Sequence, residues 1–297
     1  MTEFLQQLLN GLSLGAVYAL IALGYTMVYG VLRFINFAHS DVFMVGAFAG
    51  YYLNRWMPSD SMAGGLAILA GSMAFCALLG VVIERLAYRP LRRRSRLNVL
   101  ITAIGVSLLL EYTGQFLFGA APKPFPQLFP VRTFQFAGGL IVSTNQLAVL
   151  VLTPLLLAAL HFIVLKTRFG TAMRAISFHP VAATLVGINL DRVISFTFAL
   201  GSALAAAGGI LYSLNYQSID PLMGVLPGLK AFVAAVVGGI GNIPGAALGG
   251  LLLGIIETFV NGSRWSTATD AIAFALLILI LLFRPAGLLG KLEVEKV

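Results

Sequence analysis

The chain has 297 residues, 59% hydrophobic and only 10% charged, against about 25% charged in an ordinary globular protein. With a mean hydropathy of +0.94, it has too little charge for the shell of a soluble fold, so lipid must cover most of the outer surface. That excludes a soluble enzyme, a nucleic-acid binder and a disordered chain. The net charge of +8 reads instead as the Lys and Arg that collect on the cytoplasmic side of membrane proteins. Cys76 is alone in an apolar run, so neither an intramolecular disulfide nor a Cys-based metal site is expected. The start, MTEFLQQLLN, carries no Lys or Arg and reads as a mature end rather than a signal peptide.

Taken in chain order, apolar stretches long enough for a helix to cross ~30 Å of hydrocarbon fall near 11–31, 63–83, 98–118, 146–165, 193–213 and 270–283, with a more polar one at 37–53. The stretch 228–260 is broken by GGIGNIPG at 238–245 into pieces 228–240 and 245–260. The first is about 20 Å long at ~1.5 Å per residue, too short to span alone unless the pair is re-entrant. The fold class expected is therefore all-α: one polytopic membrane domain over 1–297, with about eight or nine membrane segments including the broken pair. The run ERLAYRPLRRRSR marks 84–97 as a cytoplasmic loop. Parity then puts the N-terminus and the loop 119–145 outside, and the loop 166–192 and the C-terminus inside. Of the 19 Lys and Arg, Arg55, Lys123, Arg132, Lys230 and Arg264 fall on outside segments and all the others on inside ones.

Many of the 32 glycines sit four apart in apolar helices, as in Gly11/Gly15, Gly46/Gly50, Gly245/Gly249 and Gly250/Gly254, a spacing that lets helix backbones approach closely. Asp41, Glu111 and Glu257 fall at membrane depth. Each would cost about 2.5–3.5 kcal/mol at a helix centre, so each faces protein or water, either as a structural contact or along a solute path. Asp41 follows His39 and Asn36 closely, and a helix start explains that trio as well as transport does. Unwound backbone at GGIGNIPG fits the heart of a transporter or a plain cytoplasmic hairpin turn. The loop 166–192 is amphipathic, with Phe169, Met173 and Ile176 on one side of Arg168 and Arg174. It reads as an interfacial helix or as a knob whose apolar side chains fill a groove on a cytoplasmic partner. No P-loop, Ser/His/Asp order, paired catalytic carboxylates or HExxH is present, so no cofactor or metal is expected in this chain. Energised transport would draw on an ion gradient or another subunit.

Five strings in order are similar to one family: GLSLGAVYALIALGYTMVYGVLRFINFAHSD at 11–41, ERLAYRPLRRRS at 84–95, FGTAMRAI…LVGINLDRVI at 169–194, GLKAFVAAVVGGIGNIPGAALGGLLLG at 228–254 and FRPAGLLG at 283–290. Together they resemble the branched-chain amino-acid ABC transporter permeases of the Liv H type, over essentially the whole chain. The resemblance implies a pore-forming, multi-pass subunit of an ATP-driven importer in the bacterial inner membrane. It implies a homologous second permease subunit, two cytoplasmic ATP-binding subunits that use ATP and Mg, and a periplasmic solute-binding protein. Relatives carrying urea, short amides or other small acids share these motifs. A self-sufficient secondary transporter or channel working through Asp41, Glu111 or Glu257 is the alternative, and a mere membrane anchor is disfavoured by the number of spans.

The resemblance also implies an ATPase-coupling loop of the pattern E-A-A-x-x-x-G. Here Ala182, Ala183 and Gly187 match, Val181 stands at the acidic position, and Phe169, Gly170 and Arg174 precede it. Ser40 stands where relatives commonly have Gly, and it is expected to N-cap a helix beginning near Asp41. The path expected is weakly polar, lined by the first two helices and the broken pair. Tyr18, Asn36, His39, Asp41, Glu111, Glu257, Gly241 and Gly245 are its candidates. Bulk at Gly241 or Gly245 should close it more severely than Glu257→Gln would.

Overall fold

The long apolar run at the start of the chain forms α1, Thr2–Leu32, about 46 Å at ~1.5 Å per residue. The computed structural model describes residues 2–57, 61–92, 94–136 and 139–290, with the side chains of Arg96 and Phe136 left aside. The inside-assigned cations Arg93, Lys291 and Lys296 lie outside the described residues. Next come α2 (His39–Trp56), α3 (Met62–Ile83), a π-helical turn at Glu84–Tyr88, α4 (Arg96–Phe118), α5 (Thr144–Lys166), α6 (Arg168–Phe178) and α7 (Pro180–Leu185). The chain closes with α8 (Leu190–Tyr216), α9 (Val225–Gly238), α10 (Ile243–Asn261) and α11 (Thr269–Phe283). Short strand pairs lie away from the Arg-rich turn. β1 (Lys123–Pro124) pairs antiparallel with β4 (Ser218–Ile219), and β2 (Thr133–Phe136) with β3 (Leu140–Ser143).

The architecture is a polytopic helical bundle. Seven helical stretches among the described residues are long and apolar enough to cross a membrane: α1, Met62–Leu91, Leu97–Phe118, α5, α8, α10 and Ser266–Phe283. Two of the expected segments fall outside that set. The first turn of α2 carries His39, Ser40 and Asp41, and α9 has only 14 residues.

Small residues explain which helices are central. From Gly11 to Val28 helix α1 is almost wholly buried, and it packs against α10. A Cβ at Gly15 would meet the Leu251 Cα and Gly250 carbonyl, and one at Gly254 would overlap the Gly15 backbone. The two Gly-x-x-x-Gly pairs therefore interlock, as close backbone packing requires. Gly46 of α2 abuts Ala206 of α8, and Gly249 of α10 abuts the Ala234 carbonyl of α9. By contrast α4, α5 and α11 turn Leu109, Phe116, Leu155, Phe162 and Leu282 outward, a surface suited to hydrocarbon.

One departure from the expected topology follows from depth. His39 lies against Gly24, eight residues before the end of α1, so α2 begins about 12 Å inside the bundle. Gly224 and Gly228 press on Ser40, so α9 also begins inside, reached by the non-helical segment 217–224. The start inside the bundle accounts for the shortness of α9, which ends at Gly238 where the expected break begins.

Candidate functional site

Two helix starts meet in the bundle interior. Ala38 precedes α2 without a side-chain cap, and Gly224 does the same for α9. Ser40, expected as the cap, lies instead within the first turn of α2 and donates its hydroxyl to the Phe37 carbonyl at 2.9 Å. Asp41 sits in that turn, where the partial positive charge of a helix start favours a carboxylate. Ser107 of α4 donates to Asp41, and the Glu111 carboxyl lies beside it. Asn36 accepts from the Tyr88 hydroxyl at 2.5 Å. His39 packs edge-on against Tyr25 at 4.9 Å, and its Nε2 has no partner among the described residues. The structure thus gathers Asp41 and Glu111 at one place and Asn36 with Tyr88 at another.

Tyr18 and Glu257 come together at a third place. The Tyr18 hydroxyl donates to Glu257 Oε2 at 2.8 Å, and Lys230 Nζ reaches Glu257 Oε1 at 2.7 Å and Asp270 Oδ1 at 2.7 Å. Glu257 is buried. Lys230, counted above as an outside-loop cation, is a buried side chain within α9. The sequence held one signal for it: a lone Lys inside an apolar piece must find a carboxylate. Asp270 and Lys230 were both missed.

The segment 238–245 is a tight helical hairpin. Gly239 and Gly241 have positive φ, Asn242 caps α10 through the Gly245 N–H, and Leu288 and Leu289 donate to the Val237 and Gly238 carbonyls. Gly245 faces the Gly238 carbonyl, so a side chain there meets helix backbone rather than an open path. Gly241 has open space, its nearest neighbour being Gly30 Cα at 3.9 Å, but a φ of +93° that strains any other residue. Gly241 lines a cavity of about 690 Å³ shared with Tyr29, His161, Arg174 and Asn242. That cavity joins the hairpin to the amphipathic loop.

In that loop, Met173 and Ile176 of the face expected to project pack inward, and Phe169 stays half exposed. Phe169 stacks on Phe196 of α8 with centroids 4.6 Å apart, and Met173 and Ile176 are buried. Gly170 fits where a Cβ would strike the Ile163 and Val164 carbonyls, whereas Arg174 reaches back to the Leu165 carbonyl at 3.5 Å. Ser177 donates to the Gly30 carbonyl, tying α6 to α1. The His179 side chain then caps α7 through Ala182 N–H, with Ala182 exposed and Ala183 buried. Gly187 ends the helix at φ +87°, with nothing within 4 Å of an added Cβ. Its neighbour Ile188 donates back to the Ala183 carbonyl, a left-handed helix stop that suits Gly. What projects is Phe178 (89% exposed), Leu185 (84%), Val186 and Val181.

The same end of the bundle, the basic end, carries a second ion network. Arg92 pairs with the buried Glu84 and, at 2.6 Å, with Asp191; Arg89 also pairs with Asp191. Ser195 of α8 donates to Glu84 at 2.6 Å. Burial lowers the Arg92 guanidinium below its ordinary value, against the opposing pull of Asp191. Among the described residues no group of three or more His, Cys, Asp or Glu stands close enough to hold a metal ion.

Residues 7–281 match the family described as "Branched-chain amino acid transport system / permease component". The chain is 45% identical to the high-affinity branched-chain amino acid transport system permease protein BraD of Pseudomonas aeruginosa, covering 99% of this chain and 98% of that one. It is 42% identical to the corresponding LivH protein of Escherichia coli K12, over 99% and 98%. Among solved structures, PsaBC from Streptococcus pneumoniae in complex with Fab contains a chain similar in fold. The TM-score is 0.50 at 14% identity, over 95% of this chain and 92% of that one.

Proposed function

The chain belongs to the family of branched-chain amino acid transport permease components, and from that premise we propose that it is the membrane-embedded permease subunit of an ABC importer for branched-chain amino acids. In this reading it sits in the bacterial inner membrane with its basic end and C-terminus in the cytoplasm and its N-terminus outside. It pairs with a homologous permease subunit and receives solute from a periplasmic binding protein. Two cytoplasmic ATP-binding subunits, with their own ATP and Mg, drive it. The chain itself does no chemistry.

One observation carries the reading: α6 and α7 form an exposed apolar knob on the basic end, led by Phe178, Leu185 and Val186. An apolar helix face of this kind fits a hydrophobic groove on a partner. The knob is anchored through Phe169, Met173, Ile176 and the Ser177 bond to α1, and Arg174 shares a cavity with the 239–242 turn. A push on the knob is thereby passed to α1, α8 and the α9–α10 hairpin. For the solute, helix starts that meet inside the bundle offer N–H dipoles to a carboxylate, and binding must stay weak enough for release.

The test is Leu185→Asp with Val186→Asp in the assembled importer. Both side chains are exposed, so the subunit should fold and insert as wild type. ATP-driven uptake and substrate-stimulated ATP hydrolysis should be lost. Normal stimulation in the double variant removes the knob from the mechanism.

A further inference from the structure

At the end of the bundle opposite the Arg-rich turn, a cavity of about 450 Å³ opens between α1, α5, α8 and α10. Side-chain amides, among them Asn10, Gln127, Asn145, Gln146, Asn215 and Asn261, supply much of its polar wall, and among the described residues no charged side chain lines it. Each amide offers both donors and acceptors. Some of that capacity is already used: Gln146 donates to Asn10 at 2.8 Å, and Asn215 donates to Ser13 at 3.2 Å. Asn145 is different. It is 8% exposed, its Nδ2 donates to the Gln127 side chain at 3.0 Å and the Leu214 carbonyl at 2.9 Å, and its buried Oδ1 has no partner among the described residues. An unpaired buried acceptor of this kind costs about 1–3 kcal/mol, which a turn of the amide toward an arriving N–H donor relieves. Leu14, Val17 and Leu214 add apolar wall.

We propose that this cavity is a low-affinity site for a small solute that carries strong dipoles but no net charge, such as a zwitterionic amino acid or a short amide. A net charge would be desolvated there without a counter-charge, which is costly. A zwitterion or amide finds donors and acceptors for its polar end and apolar wall for its side chain. The site's place on the entry side of an importer rests on the function proposed above; its ligand chemistry does not.

The experiment uses the assembled importer in nanodiscs, carrying Cys76→Ser and Thr258→Cys. Thr258 lines the cavity and its hydroxyl donates to its own helix, at the Gly254 carbonyl, so the thiol reports occupancy without removing an amide. The rate of alkylation by iodoacetamide is measured with leucine, propionamide, acetate or methylammonium added. Protection scales as 1 + [L]/Kd, so leucine or propionamide at twice its Kd should slow labelling about threefold. Acetate and methylammonium at equal concentration should leave the rate unchanged. Adding Asn145→Leu, or Asn215→Leu if the first variant fails to assemble, should abolish the protection.

The proposal is overturned if the thiol is not labelled, if neither neutral solute protects, if the charged solutes protect equally, or if protection survives loss of the amide. ATP-driven leucine uptake by the same preparation is scored separately. Protection without uptake would remove the importer reading and leave the site standing.

Discussion

The two ion networks, one at each end of the bundle, are built from similar groups and differ in burial. At the basic end, Arg89 and Asp191 are nearly half exposed while Glu84 is fully buried and shares Arg92 with Asp191. At the opposite end, Lys230 and Glu257 are both almost completely buried, with Tyr18 on one flank and the half-exposed Asp270 on the other. Water still solvates part of the first network, so losing one member is partly compensated. It barely reaches Lys230 and Glu257 in the second, where each charge depends on the other. The first ties the Arg-rich turn to α8 beside the knob. The second joins α1, α9, α10 and α11.

The largest effect is expected from Lys230→Met, which leaves Glu257 buried with only Tyr18. Removing one partner of a buried pair costs about 3–5 kcal/mol, read as a large fall in the thermal midpoint of the purified subunit. Lys230→Met with Glu257→Gln should recover much of that loss, because no uncompensated charge remains inside. Equal destabilisation by the single and double variants would show that the charges are not coupled. Glu84→Gln comes next. Ser195 and Arg92 can still bond the amide, so the expected cost is about 1–3 kcal/mol. Arg89→Ala is the smallest, about 0–1 kcal/mol for an exposed pair. A loss at Arg89 as large as at Lys230 would erase the distinction between the two ends.

The same contrast explains what could be read from the sequence. ERLAYRPLRRRS announces the basic end because its charges are contiguous, and the apolar runs announce the long helices because burial follows hydropathy. The glycine pairs of α1 and α10 were legible as packing faces, although not as partners of each other. Lys230 was not legible. It sits near the start of an apolar piece, where a loop cation also sits, and its partners lie 27 and 40 residues away in sequence on other helices.

Depth was hidden as well. Nothing local in INFAHSD says that α2 starts beside Gly24, because the steric fit of His39 into that glycine is a tertiary fact. The amphipathic pattern of α6 was correctly seen but its direction was not. Met173 and Ile176 pack inward, Phe169 is half exposed with one face on Phe196, and the most exposed apolar residues of the loop lie at the α6–α7 junction and beyond. Likewise Gly245→Val now tests helix packing against Gly238 rather than closure of a path.

The central claim, an importer subunit powered by separate ATPases, is tested most directly by leucine uptake into proteoliposomes. The chain is reconstituted alone with an imposed proton or sodium gradient, and in parallel with its second permease, ATP-binding subunits and solute-binding protein. The account predicts uptake only in the complete assembly and only with ATP and Mg. Gradient-driven uptake by this chain alone would contradict it and make the intramembrane carboxylates Asp41 and Glu111 the place to look for the coupling ion.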